Sequence, residues 1–197
     1  MNKLSVFIAV FVLGLISSAY AVKSGLHKKV FGETSKIVYF IEKTLGHKPP
    51  LFDGDIVGNN APNFSLNQVD GKIMTLTDYK GKLVILNFWA SWCPPCRAEI
   101  PAFVNAQEKY RDKGVAFLGI AIEDKADVET FLKEVSINYP TSYGVEEAFK
   151  VSAAYGNPDG ALPYTLVIGP KQKILESHNG QVTEAMLDQF INKHLIN

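Results

Sequence analysis

The chain has 197 residues, 47% hydrophobic and 20% charged, a composition that excludes a mainly disordered protein. Twenty basic residues balance twenty acidic ones, so no overall field draws nucleic acid, and nucleic-acid binding is set aside as a function. There are 2 cysteines, Cys93 and Cys96, too few and too close together for a disulfide-stapled scaffold.

Leu4 to Ile16 is almost unbroken apolar sequence, and the following Ala19-Tyr20-Ala21 has the small-x-small form of a signal-peptidase site. Residues 1–21 are therefore expected to be a cleaved export signal or an uncleaved anchor, since Leu4 to Val22 is just long enough to span a bilayer. Lys23, Lys28 and Lys29 weaken the charge asymmetry on which both readings draw. Either way the rest of the chain is expected outside the cytoplasm, in the periplasm or at the outer face of the membrane. No cysteine lies near the end of the run, which argues against a lipoprotein.

From His27 to Leu45, apolar residues at Val30, Ile37, Val38, Ile41 and Leu45 share one helix face. Such a helix packs on the domain, stays solvated or lies on a membrane surface. Gly46, Pro49, Pro50, Gly54 and Gly58 break regular structure and place a linker at about 46–58. Residues 22–57 are thus read as a helical segment with its linker, and 58–197 as the main domain.

Within that domain, Asn63 to Leu66 and Lys72 to Thr75 flank Asp70-Gly71 and read as a hairpin. Leu83 to Trp89 and Val115 to Ile122 are apolar enough for strands buried on both faces. Ala98 to Tyr110 reads as a helix, and Val128, Phe131, Leu132 and Val135 mark a second. A short helix is expected around Glu146 to Tyr155. Strands at Tyr164 to Ile168 and Ile174 to Ser177 follow, joined by Gly169-Pro170-Lys171-Gln172. Thr183 suits the N-cap of a last helix. The alternation predicts an α/β fold, a mixed central sheet with helices on both faces and an N-terminal hairpin extension.

The chemistry concentrates in Trp92-Cys93-Pro94-Pro95-Cys96, where a buried strand ends and a helix begins. Free amides and the dipole of a first helical turn stabilise a thiolate at Cys93, a nucleophile at neutral pH. Cys96 lies one turn away, close enough to resolve a mixed disulfide. Pro94 and Pro95 have no N–H, which leaves the Cys96 amide as the local donor to the Cys93 sulfur. Fewer donors mean a less stabilised thiolate and a less oxidising disulfide, so a reductant is expected.

With its flanks the sequence resembles the TlpA/ResA-type thioredoxin-like proteins, disulfide reductases of the bacterial cell envelope. The resemblance spans about residues 58–195 and rests on five segments. They are Ala61-Pro62-Asn63-Phe64, Asp70-Gly71-Lys72, Tyr79-Lys80-Gly81-Lys82, the Trp-Cys-Pro-Pro-Cys core and Leu162-Pro163-Tyr164-Thr165. It implies that Cys93 attacks, that Cys96 resolves, and that Pro163 is a cis proline facing the pair and docking substrate with Leu162, Trp92 and Pro94. Pro101 matches a proline that kinks the active-site helix. Glu99 matches a glutamate that affects the cysteine acidities in relatives engaged in cytochrome maturation; it also reads as a helix-start carboxylate favoured by the dipole. Thioredoxins proper carry a buried aspartate where this chain has Asn87, so a proton shuttle would fall to Glu99 or water.

The implied function is thiol–disulfide oxidoreductase, reducing disulfides in exported proteins such as apocytochrome c. No metal or organic cofactor is required. The implied partners are those clients and a membrane electron donor of the thiol-reducing type, with the enzyme acting as a monomer. A copper-binding or copper-delivery protein is the alternative, with His178 as the one histidine in the strand region. A thiol peroxidase would need a peroxidatic cysteine in a threonine-containing loop, which the sequence lacks.

Overall fold

The computed structural model describes residues 56–195. The apolar run of residues 1–21 and the helical pattern of 27–45 lie outside that range. Among the described residues no helix is long and apolar enough to cross a membrane.

A two-stranded hairpin, β1 (Ser65–Asn67) and β2 (Ile73–Thr75), leads through a 3-10 turn at Leu76–Tyr79 into β3 (Leu83–Trp89). Then follow α1 (Pro94–Tyr110), β4 (Val115–Ala121), α2 (Lys125–Glu134), β5 (Thr141–Tyr143) and α3 (Glu146–Ala154). The chain closes with β6 (Tyr164–Ile168), β7 (Ile174–Asn179) and α4 (Glu184–His194). The main sheet has five strands in the order β5-β4-β3-β6-β7. β4 lies parallel to β3 and β5, while β6 is antiparallel to β3 and β7.

The pleat of β3 decides where the site forms. Side chains alternate across a strand, and every residue of β3 is buried. Val84, Leu86 and Phe88 join one core with the hairpin residues Leu66 and Met74 and with Ala148 of α3. Leu83 and Ile85 face the other way, onto Phe103 and Ala106 of α1 and Leu187 and Ile191 of α4. Trp89 continues that second face beside both cysteines, Ile100, Val128 and Phe131. Asn87 therefore points at α1, the one polar side chain in an apolar strand.

Leu86 is fully buried at the centre of the sheet. Leu86→Ala is expected to lower stability by about 2–5 kcal/mol through lost burial and a residual cavity, as read from urea unfolding.

Several boundaries differ from the sequence expectation. The hairpin strands are shorter, because Gln68 closes the loop by donating to the Lys72 carbonyl at 2.8 Å, and Asp70-Gly71 sits inside that turn. Helix α1 starts at Pro94 instead of Ala98, since prolines in a first turn leave no helical bond unmade. Ile56, among the linker glycines, is buried in the first core. A side chain on Gly156 would meet it at 2.7 Å. Thr183 caps α4 as expected, accepting from the Met186 amide at 3.3 Å.

Candidate active site

Cys93 caps α1 in extended backbone, and the Cys96 amide donates to its sulfur at 3.3 Å. The two are joined in a disulfide with Cα atoms 5.3 Å apart. Cys96 is 0% exposed and Cys93 4% exposed, so the little of the pair that reaches solvent belongs to Cys93. Pro94 and Pro95 occupy the first two helical positions, exposed to solvent, and give the sulfur no N–H. Pro101 lies within α1.

Around the pair, Trp92 projects into solvent at 67% exposure. Leu162 is half-buried and packs against the cluster that contains both cysteines. The Leu162–Pro163 peptide bond is cis, and Pro163 is buried at the start of β6. Trp92 and Pro94, the exposed neighbours of Cys93 in the chain, and Leu162, packed on the cysteine cluster, are the apolar residues about the pair. The neighbouring cleft of about 640 Å³, lined by Val69, Tyr79, Leu132 and Tyr139 among others, has neither cysteine in its wall.

One helical turn on from Cys96 lies a buried carboxylate. Glu99 follows Cys96 by three residues, which puts both on one face of α1. Its Oε1 accepts from Asn87 Nδ2 at 2.8 Å and its Oε2 from the Val182 amide at 2.8 Å. Asn87 Nδ2 also donates to Thr165 Oγ1 at 3.1 Å. Burial pushes the Glu99 carboxyl up to about 7, against the lowering pull of the Val182 and Asn87 donors. Tyr139 is pushed up as well, mainly by burial and further by the Glu99 charge. Because α1 begins at Pro94, Glu99 lies beyond the first turn and is not the helix-start carboxylate of the dipole reading.

The AhpC/TSA family model matches residues 57–177. The thiol-disulfide oxidoreductase ResA of Bacillus subtilis (strain 168) is 36% identical over 140 residues, covering 68% of this chain and 74% of that one. The chain belongs to the AhpC/TSA family, as a ResA/TlpA-type thiol–disulfide oxidoreductase. A thioredoxin-family thiol:disulfide interchange protein from Chlorobium tepidum TLS superposes on this ResA-type fold with TM-score 0.63 at 33% identity, covering 73% of this chain and 100% of its own. The exposed lipoprotein thioredoxin Etrx1 of Streptococcus pneumoniae superposes with TM-score 0.60 at 28% identity, covering 67% and 99%.

The reaction of this ResA-type chain is dithiol exchange, and its substrates are disulfide-containing proteins. The structure brings Cys93, Cys96, Glu99, Pro94, Trp92, Leu162 and Pro163 into one region around the start of α1. His178 stands apart on β7, its ring against Phe190 at 6.2 Å. Among the described residues no group of three His, Cys, Asp or Glu side chains could hold a metal ion. Two contributions are absent from the sequence reading. One is Glu123, buried behind the loop that carries Trp92. The other is Gly119, where a side chain would crowd Trp89 Nε1 at 3.1 Å and Tyr139 at 3.2 Å.

Proposed function

We propose that the protein is an exported disulfide reductase whose Cys93 thiolate attacks a disulfide in a client protein. One client sulfur becomes bonded to Cys93 and the other leaves as a thiolate. Cys96 then attacks the Cys93 sulfur, expels the second client thiolate and closes the Cys93–Cys96 bond, so two electrons pass from enzyme to client. The observation that carries this reading is the asymmetry of the pair at the head of α1, with Cys93 at the helix cap and Cys96 fully buried in the first turn.

Glu99 serves in this scheme as the base that takes the Cys96 proton. It stands one helical turn from Cys96, and its carboxyl titrates near the pH at which exchange must run. It also answers the substitution of Asn87 for an aspartate, since the Asn87 amide holds the Glu99 carboxylate in place. Trp92, Pro94, Leu162 and Pro163 form the surface on which the client backbone and flanking side chains rest. The apolar run before Ala19-Tyr20-Ala21 supports export, by cleaved signal or by anchor, and Etrx1 is itself an exposed protein. A membrane electron donor would reduce the Cys93–Cys96 bond again, and exported apocytochromes are fitting clients.

The paired prolines make the direction testable. With two of the first amides missing, the Cys93 thiolate is poorly stabilised and the disulfide is expected to be a weak oxidant. Equilibration with a thiol buffer should give a reduction potential below roughly −200 mV, and a value near about −120 mV would mark an oxidant instead.

A further inference from the structure

We infer that Glu123 is a positioning residue, whose carboxylate fixes Ser91 and so presents the Trp92 ring to clients with an apolar side chain beside their disulfide. The inference rests on the exchange reading above and adds a determinant of client choice. Glu123 lies two residues past the end of β4, only 4% exposed. Its Oε1 accepts the Ser91 N–H at 2.8 Å and its Oε2 accepts the Ser91 hydroxyl at 2.7 Å. Such a two-point grip fixes both the backbone and the side chain of one loop residue.

The rest of the loop is tied from other directions. The Ser91 carbonyl accepts from Arg97 Nη1 at 3.3 Å, and that guanidinium lies over the Phe131 ring at 5.0 Å. The Cys93 amide donates to the Ala90 carbonyl at 3.2 Å, and the Ile122 amide to the Trp89 carbonyl at 2.9 Å. Glu123 itself is held through its carbonyl, which accepts from Gly144 at 3.1 Å. Every residue flanking Trp92 is therefore fixed, while Trp92 is 67% exposed. A large ring in water on a rigid stem loses little conformational entropy when a partner covers it, which is how aromatic anchors work at interfaces. The ring offers an apolar face, and the exposed Pro94 next to Cys93 and the half-buried Leu162 on the cysteine cluster are apolar as well, so the matching client group is an aliphatic or aromatic side chain.

The test uses the purified full chain, turned over with excess dithiothreitol that re-reduces the Cys93–Cys96 bond and with the uncatalysed rate subtracted, and three oxidised substrates: a peptide disulfide with leucine beside the cysteine, the same peptide with glycine there, and hydroxyethyl disulfide. Glu123→Ala is expected to raise KM for the leucine peptide roughly tenfold with little change in kcat, and to leave the rate with hydroxyethyl disulfide within about twofold. Glu123→Gln should restore KM, because the amide oxygen accepts from the Ser91 N–H and the amide nitrogen donates to its hydroxyl. Ser91→Ala, which removes one of the two bonds without emptying the buried site, should give a rise of roughly threefold. On a Trp92→Ala background the Glu123→Ala effect should vanish, the signature of one residue acting through another. Equal losses on the leucine peptide and hydroxyethyl disulfide, additivity with Trp92→Ala, or an unchanged KM in both Glu123→Ala and Ser91→Ala would overturn the inference. If the wild-type chain reduces none of the three substrates, it is the exchange reading itself that fails.

Discussion

Cys93→Ser is expected to abolish client reduction, with a loss on the order of a thousandfold or more, because a hydroxyl at the helix start is not ionised at neutral pH. Cys96→Ser should behave differently. It leaves the Cys93 sulfur free to attack, so the first exchange proceeds and the enzyme stops as a mixed disulfide with its client. The buried position of Cys96 makes this separation clean, since a client reaches Cys93 first and finds no second thiol to release it. Non-reducing electrophoresis should show adducts for Cys96→Ser, none for Cys93→Ser and few for the wild type, and mass spectrometry of the adducts would identify the clients. Absence of adducts together with tight copper binding by the wild type would favour metal delivery over exchange.

The parts of this site that lie close together in sequence were legible, and those that meet across the fold were not. Leu83 to Trp89 announces a buried strand by composition alone, and the cysteines at its exit announce the chemistry. The cis bond at Pro163 was expected only through family resemblance, because nothing in the local residues distinguishes it from an ordinary proline at a strand start. Strand β5 has no signature of its own in the sequence, since Thr141–Tyr143 is three residues long and is defined by its pairing with Gly119 to Ala121 of β4. Glu123 grips Ser91 across 32 positions, and Glu99 reaches Val182 across 83. A carboxylate in sequence reads as solvated surface, and only the tertiary partner shows otherwise. Asn87 enters the sequence reading only through the resemblance, as the residue that replaces an aspartate; that its amide donates to Glu99 and Thr165 is visible only in the fold.

In the proposed scheme one proton on Glu99 links stability and catalysis, and Glu99→Gln should separate them. The carboxyl is raised from 4.5 to about 7 in the folded protein by burial. Below the unfolded value both states are protonated and stability is at its full level. As pH rises, the unfolded chain ionises first, and stability falls until the folded carboxyl also ionises near 7, by about 3 kcal/mol in all. Glu99→Gln should remove that slope from urea unfolding between roughly pH 5 and 7. The fold can accept the amide: its oxygen takes the Val182 N–H, and Asn87 can turn over to accept from the new NH2 while Thr165 donates to it. At pH 8 the variant is therefore expected to be at least as stable as the wild type. Its chemistry should nevertheless suffer. In the wild type the rate of Cys96 attack on the mixed disulfide should climb through about pH 7 as Glu99 becomes able to take the thiol proton. In Glu99→Gln that rise should disappear, leaving the step slower by on the order of a hundredfold at pH 8. Stopped-flow measurement of client release would decide it. A variant that is stable and slow places the proton on Glu99, whereas an unchanged profile would assign it to water.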